Sequence, residues 1–140
     1  MTLPNRPLSI QLWGHFTKIS QQIVQASDDF LRTLGLTSAQ FAILACLAPH
    51  MASGIRQLDL AQEMGVTPGA ISQQLSKLEA RGLIVRQAVR TSKYVSLSPE
   101  GKQLLDETIE GHDAHISAQF GALSDQEMSL MLTWLLRLEK

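Results

Sequence analysis

The sequence predicts a mainly α (all-α class) protein with one short β hairpin among its helices. Three observations carry that class. Apolar residues recur at helical spacing over most of the chain. Capping residues stand where those runs begin, at Thr37, Thr67, Ser98 and Ser124. Only the stretch from Leu83 to Leu97 breaks into short β-prone runs, alternating at Tyr94/Ser96 and Val95/Leu97 as a half-buried strand would.

Residues 1 to about 7 hold Pro4 and Pro7 and read as an irregular arm. A long helix follows from about Leu8 to Leu34. Leu12, Phe16, Ile19, Ile23, Phe30 and Leu34 fall near one side, with Leu8 and Trp13 adding area at the start. A helix this long outruns a compact core in a chain of 140 residues. Part of its apolar face is expected to meet another element or another subunit. Gly35 ends it.

Thr37 and Gln40 have capping-box spacing and open a second helix, Ser38 to about Ala48, with Phe41, Ile43, Leu44 and Leu47 apolar. Pro49 stops it, and residues 50–54 read as a loop. A third, short helix runs from about Arg56 to Met64 and packs through Leu58, Ala61 and Met64, with Leu60 beside them. Gly65 turns the chain into a fourth helix. Thr67 caps it, Pro68 fits its first position and Gly82 ends it. Two short helices joined through a glycine turn make a helix-turn-helix pattern.

Ile71, Leu75 and Leu78 form the apolar stripe of the fourth helix. Its opposite face carries Gly69, Ser72, Gln73 and Ser76, small or amide-bearing residues with no acid among them. Lys77 and Arg81 stand near its far end. Surface helices tend to mix Glu and Lys for i,i+4 pairing. A face of short hydroxyls and amides suits close approach to a polyanion and to base edges. Read alone, the helix fits a DNA recognition helix and a merely solvated face equally.

Leu83 to Gln87 and Lys93 to Leu97 then form a hairpin around Arg90-Thr91-Ser92, with a basic tip. Ser98-Pro99-Glu100 opens a helix to about Phe120 with thin apolar content: Leu104, Leu105, Ile109, Ile116 and Phe120. Ser124-Asp125-Gln126-Glu127 is a second capping box. The last helix, Asp125 to about Leu138, is apolar nearly all round and is expected to be buried in a subunit interface.

The formal net charge of −1 is no nucleic-acid signature by itself, but its distribution is informative. Lys77, Arg81, Arg86, Arg90 and Lys93 lie close together with only Glu79 among them, and an acidic C-terminal region follows. Such a local basic patch is the electrostatic footprint of a DNA binder. The single cysteine, Cys46, excludes an internal disulfide and fits a cytoplasmic protein. The N-terminus lacks a signal peptide's apolar region, and no apolar run approaches the length of a membrane span, so no membrane partner is expected. No nucleophile elbow, phosphate loop or zinc-hydrolase motif is present, so an enzyme is not expected, nor is a cofactor.

The order of elements comes with specific strings. Leu36-Thr37-Ser38-Ala39-Gln40 precedes the second helix, and Leu60-Ala61 and Gly65-Val66 frame the helix-turn-helix. Leu78-Glu79-Ala80-Arg81-Gly82-Leu83-Ile84 leads into the hairpin, and Val95-Ser96-Leu97-Ser98-Pro99-Glu100-Gly101 follows it. From about Leu8 to its end the chain resembles the MarR family of bacterial winged helix-turn-helix transcription regulators. The resemblance implies a homodimer, with residues 1–34 and 99–140 as dimerisation helices and residues 36–98 as the DNA-binding lobe. It implies repressors that are often released by small aromatic or phenolic ligands.

On that resemblance Thr67 would cap the helix and touch a phosphate. Gly69, Ala70, Ser72 and Gln73 would face base edges, with Gln73 able to pair bidentately with adenine. Gln74, Lys77 and Arg86 would contact phosphates. Arg90, with Lys93 near it, would enter the minor groove. Trp13, His15, Phe16, Met51 and Tyr94 would line an effector pocket, although aromatic stripes at helical spacing are more often plain core. The family's usual wing carries an acid-and-arginine motif, roughly Asp-x-Arg-Arg, in a longer loop. This chain has no acid between Arg81 and Glu100.

Other constellations have bland counterparts. Cys46 fits a buried, inert cysteine better than a redox sensor. His112 and His115, and separately Cys46 and His50, have spacings that metal sites use. Some relatives complete a zinc site with residues after the glutamine of the second helix. Those positions here are Phe41 and Ala42, so no metal site is expected. The rival functional readings are a winged-helix dimer acting through a protein partner, and a metal or redox sensor on the same scaffold.

Overall fold

The computed structural model describes residues 5–140. Residues 1–4, the first part of the expected irregular arm, lie outside the described residues. The elements run α1 (Leu8–Thr33), α2 (Ser38–Leu47), a 3-10 turn (Ala48–His50), β1 (Ile55–Arg56), α3 (Gln57–Met64), α4 (Pro68–Ala80), β2 (Ile84–Val89), β3 (Ser92–Leu97), α5 (Pro99–Gln119) and α6 (Asp125–Leu138). The chain is mainly α-helical with a small β wing, as the periodicity predicts.

The sheet has three antiparallel strands in the order β1-β3-β2. β2 and β3 pair from Ile84 with Leu97 to Val89 with Ser92. β1 pairs Ile55 with Val95 and Arg56 with Tyr94. The sequence showed only the hairpin. A two-residue strand has no periodicity to read, and β1 exists because β3 offers it an edge.

The backbone divides into two compact units, one from Leu31 to Glu110 and the other made of the segments up to Phe30 and from Gly111 to Lys140. Both boundaries fall inside helices, α1 and α5, whereas the sequence reading places them at residues 34 and 99.

The core lies in the Leu31–Glu110 unit. Ile43, Leu44 and Leu47 of α2, Leu60 and Ala61 of α3, and Ile71, Leu75 and Leu78 of α4 are all buried, with Ile84, Val95 and Leu97 from the sheet. Each such large apolar side chain stabilises the fold by about 1.5–3 kcal/mol. Leu58, expected on the packing face of α3, is instead 58% exposed. Leu60 and Ala61 take the inward arc of that short helix, and Leu58 stands off it.

Caps set the helix ends. Thr37 with Gln40 and Ser124 with Glu127 form complete capping boxes. The start of α5 is pinned to the end of α4. Ser98 Oγ donates to the Gly82 carbonyl at 2.5 Å, Ser98 N–H donates to the Leu83 carbonyl at 3.0 Å, and Gly101 N–H donates to Ser98 Oγ at 2.9 Å.

In the other unit no described residue is fully buried. Its helices are tied by Ser27 Oγ and His112 Nε2, 2.7 Å apart, and by the Phe30 ring, 5.5 Å from the ring of His115. Trp13, Phe16, Leu132, Trp134 and Leu136 are each more than half exposed. Scattered apolar side chains on a surface are ordinary, but a concentration like this marks an interaction face.

Candidate nucleic-acid interface

Gly65 adopts φ 69° between α3 and α4, a left-handed turn that side chains rarely adopt. Thr67 Oγ1 then accepts the N–H of Ala70 at 3.1 Å, and Pro68 takes the first helical position. This frame buries Ile71, Leu75 and Leu78 and turns the other side of α4 outward. Thr67, Gly69, Ala70, Gln73, Ser76 and Lys77 are exposed, and Ser72 is half-buried. Nothing lies within 4 Å of where a Gly69 side chain would stand, so the backbone there is open to close approach.

The wing carries the second group. Because Val89 pairs with Ser92, only Arg90 and Thr91 make the turn, and Ser92 belongs to the ladder rather than to the tip. Among the described residues Arg90 is the one non-glycine with positive φ, at 57°. Two-residue hairpins favour glycine there. Arg90 and Lys93 are both exposed.

Two residues assigned to phosphate contacts face elsewhere. The Arg86 guanidinium, only 17% exposed, turns onto α4 and donates from Nη2 to Glu79 Oε1 at 2.9 Å and to Ser76 Oγ at 3.0 Å. It does so because β2 runs back beside the helix it follows. Gln74 flanks the apolar stripe, and its Oε1 is buried without a hydrogen-bond partner. Arg81, at the far end of the same helix, donates to the carbonyl of Gly35 at 2.6 Å and so caps the end of α1. The Ser76–Glu79–Arg86 cluster escaped the sequence reading, because Arg86 meets the other two only through the tertiary fold.

Electrostatics follow this geometry. The hydrogen bond from Arg86 holds the Glu79 carboxyl below the usual glutamate range, and the Lys93 charge adds to it. Lys77 and Arg90 make no side-chain hydrogen bond or ion pair with described residues and present their charge outward. The result is a helical face of small and amide-bearing side chains beside a cationic hairpin tip, with its one acid, Glu79, paired to Arg86.

Comparison with known proteins places this arrangement. Residues 36–93 match the family model described as MarR family. An uncharacterized HTH-type transcriptional regulator of Bacillus cereus (strain ATCC 10987 / NRS 248) is 31% identical over 121 residues, 86% of this chain and 81% of that one.

The chain belongs to the MarR family.

Solved structures are similar in fold. MepR, a transcription regulator of the Staphylococcus aureus multidrug efflux pump MepA, superposes with a TM-score of 0.78 at 27% identity over 88% of this chain and 92% of that one. MepR in complex with DNA gives 0.70 at the same identity, over 88% and 91%. CouR of Rhodococcus jostii RHA1, bound to p-coumaroyl-CoA, gives 0.71 at 27% identity over 94% and 93%. As a MarR-family protein this chain is a DNA-binding transcription regulator that works as a homodimer, and not an enzyme.

The remaining candidates fall outside the α4–wing surface. Trp13, His15 and Phe16 lie exposed on α1 in one unit. Met51 and Tyr94 lie in the other, Met51 exposed and Tyr94 half-buried. A shallow hollow of about 200 Å³ is lined by Arg56, Gln57, Leu58, Thr91, Ser92 and Lys93, and by none of those five. It is smaller than the ~300 Å³ at which ligand pockets usually begin. Cys46 is half-buried with its Sγ 3.5 Å from Met64 Sδ. Burial, with Glu63 adding, pushes its thiol up. That disfavours the thiolate that redox sensing needs. Among the described residues no three His, Cys, Asp or Glu side chains gather as metal ligands would. No single described helix is long and apolar enough to cross a membrane.

Proposed function

We propose that this regulator is a repressor that occludes a pseudo-palindromic operator and is released by a small aromatic or phenolic effector. The observation that carries the DNA mode is the exposed face of α4, small and amide-bearing from Gly69 to Ser76, beside the wing cations. Gly69, Ala70, Ser72 and Gln73 approach base edges, with Gln73 reading adenine through its amide. Thr67 and Lys77 hold phosphates. Arg90, supported by Lys93, enters the minor groove. Two such lobes in a homodimer read half-sites about one DNA turn, roughly 34 Å, apart. The protein works in the cytoplasm, where its operator is. An effector acts by favouring one spacing of the two recognition helices over another. Supporting that part is the p-coumaroyl-CoA bound to CouR. Trp13, His15 and Phe16 on α1, and separately Met51 and Tyr94 in the Leu31–Glu110 unit, are the side chains proposed to meet a ligand.

The test is a fluorescence-anisotropy titration against the DNA upstream of the protein's own gene, at several salt concentrations. Sequence-selective binding that weakens steeply with salt is expected, because phosphate contacts release counterions. Gln73→Ala should relax specificity at one base position by ~1–3 kcal/mol. Absence of selective binding at moderate salt would replace this reading with a protein partner.

A further inference from the structure

We infer that Glu79 is a positioning residue for DNA binding: from the recognition helix it clamps the wing through Arg86. The inference rests on the DNA-binding reading and adds a residue that touches no DNA itself.

Glu79 bonds a cation of one wing strand and feels the charge of a cation on the other. Arg86 of β2 donates to its carboxylate at 2.9 Å, and Lys93 of β3 lies close enough to stabilise its charge. Lys93 pairs with Ala88, two residues beyond Arg86 on the same strand, so the two cations share one face of the ladder. The Arg86 guanidinium also donates to Ser76 Oγ at 3.0 Å. Ser76 in turn donates to the Ser72 carbonyl at 3.0 Å, which fixes the direction of its hydroxyl and leaves a lone pair for Arg86. A continuous chain of hydrogen bonds therefore runs from Ser72, on the proposed base-reading face, through Ser76 and Arg86 to Glu79.

The sign of the charge makes this testable. A carboxylate beside a polyanion weakens binding by plain repulsion. If Glu79 did nothing else, removing its charge would tighten DNA binding. A clamp predicts the reverse, because the outward cations of the wing then lose their fixed place relative to Ser72 and Gln73. The effect is bounded by the coupling of a half-buried ion pair still open to solvent on its Glu79 side, equivalent to about two- to fivefold in affinity.

The experiment compares wild type, Glu79→Gln, Arg86→Lys and Arg90→Ala, singly and with Glu79→Gln/Arg90→Ala combined. Each is titrated by anisotropy against the wild type's preferred duplex, with thermal unfolding as the folding control. Glu79→Gln is expected to bind about two- to fivefold more weakly. Arg86→Lys keeps the charge, but its ammonium stops level with the arginine's Cζ, one bond short of the Nη2 that serves both Ser76 and Glu79, and should lose a similar factor. Arg90→Ala should cost less in the Glu79→Gln background than alone, since the wing is already loosened. Equal or tighter binding by Glu79→Gln overturns the inference, as does full affinity in Arg86→Lys, or independent effects of Glu79→Gln and Arg90→Ala. Wild-type protein that binds no DNA selectively overturns the DNA reading instead.

Discussion

Arg90 occupies the first position of a two-residue turn with φ 57°, a conformation glycine adopts freely and arginine does not. The cost of holding it there is of order 1–3 kcal/mol. The same geometry projects a cation from the apex of the wing. Stability and function therefore pull in opposite directions at this residue. Arg90→Gly should raise the melting temperature by relieving the turn. It should also weaken DNA binding and make the fall of log K with log salt shallower by about 1.8 for the dimer, roughly 0.9 for each of the two wing cations lost. Thermal unfolding and salt-dependent titration on the same preparation check both halves. A variant that is less stable as well as weaker would remove the strain from the account.

Gly101 shows how elements depend on single atoms. It opens α5 where that helix crosses the chain leaving α4, and a Cβ there would overlap the carbonyl oxygen of Leu83. Gly101→Ala should cost about 1–3 kcal/mol, as overpacking does. Gly69→Ala is the control, since nothing lies within 4 Å of that site and alanine favours the helix. A thermal melt that ranks the two the other way would contradict the crossing. The elements themselves were legible in the sequence because their signals are local. Thr37, Thr67, Ser98 and Ser124 announced helix starts, and Ile71, Leu75 and Leu78 announced the buried side of α4. Signals that need the tertiary fold were not legible. β1 has too few residues for a period, and Leu58 read as core because it stands at helical spacing with Ala61 and Met64, whereas the fold buries Leu60 with Ala61. Arg86, Arg81 and Gln74 looked like a ready cationic and polar face. The fold turned Arg86 to Glu79, Arg81 to the end of α1 and the Gln74 carbonyl inward. Sequence found no acid between Arg81 and Glu100, and the acid that meets the wing stands just outside that window, on the helix.

The distribution of burial sets what the whole molecule must do. The Leu31–Glu110 unit holds all the buried leucines and isoleucines of the described chain. The other unit leaves Leu12, Trp13 and Phe16 of α1 and Leu132, Trp134 and Leu136 of α6 more than half exposed. A single chain cannot cover those side chains, and a homodimer can. Covering even several of them per subunit recovers about 1.5–3 kcal/mol each. That is enough to offset the entropy of association, which is of order 4–15 kcal/mol. Phe16→Glu combined with Trp134→Glu places charges on both helices of this face. The double variant should sediment as a monomer while its Leu31–Glu110 core still melts cooperatively, since none of that core is altered. Its DNA affinity should fall to the non-specific range, about 10⁻⁴–10⁻⁶ M, because a lone lobe reads one half-site. Sedimentation and titration must change together. If the double variant stays dimeric, these faces are not the interface. If it is monomeric yet keeps selective affinity, dimerisation is not what brings two recognition helices to the operator.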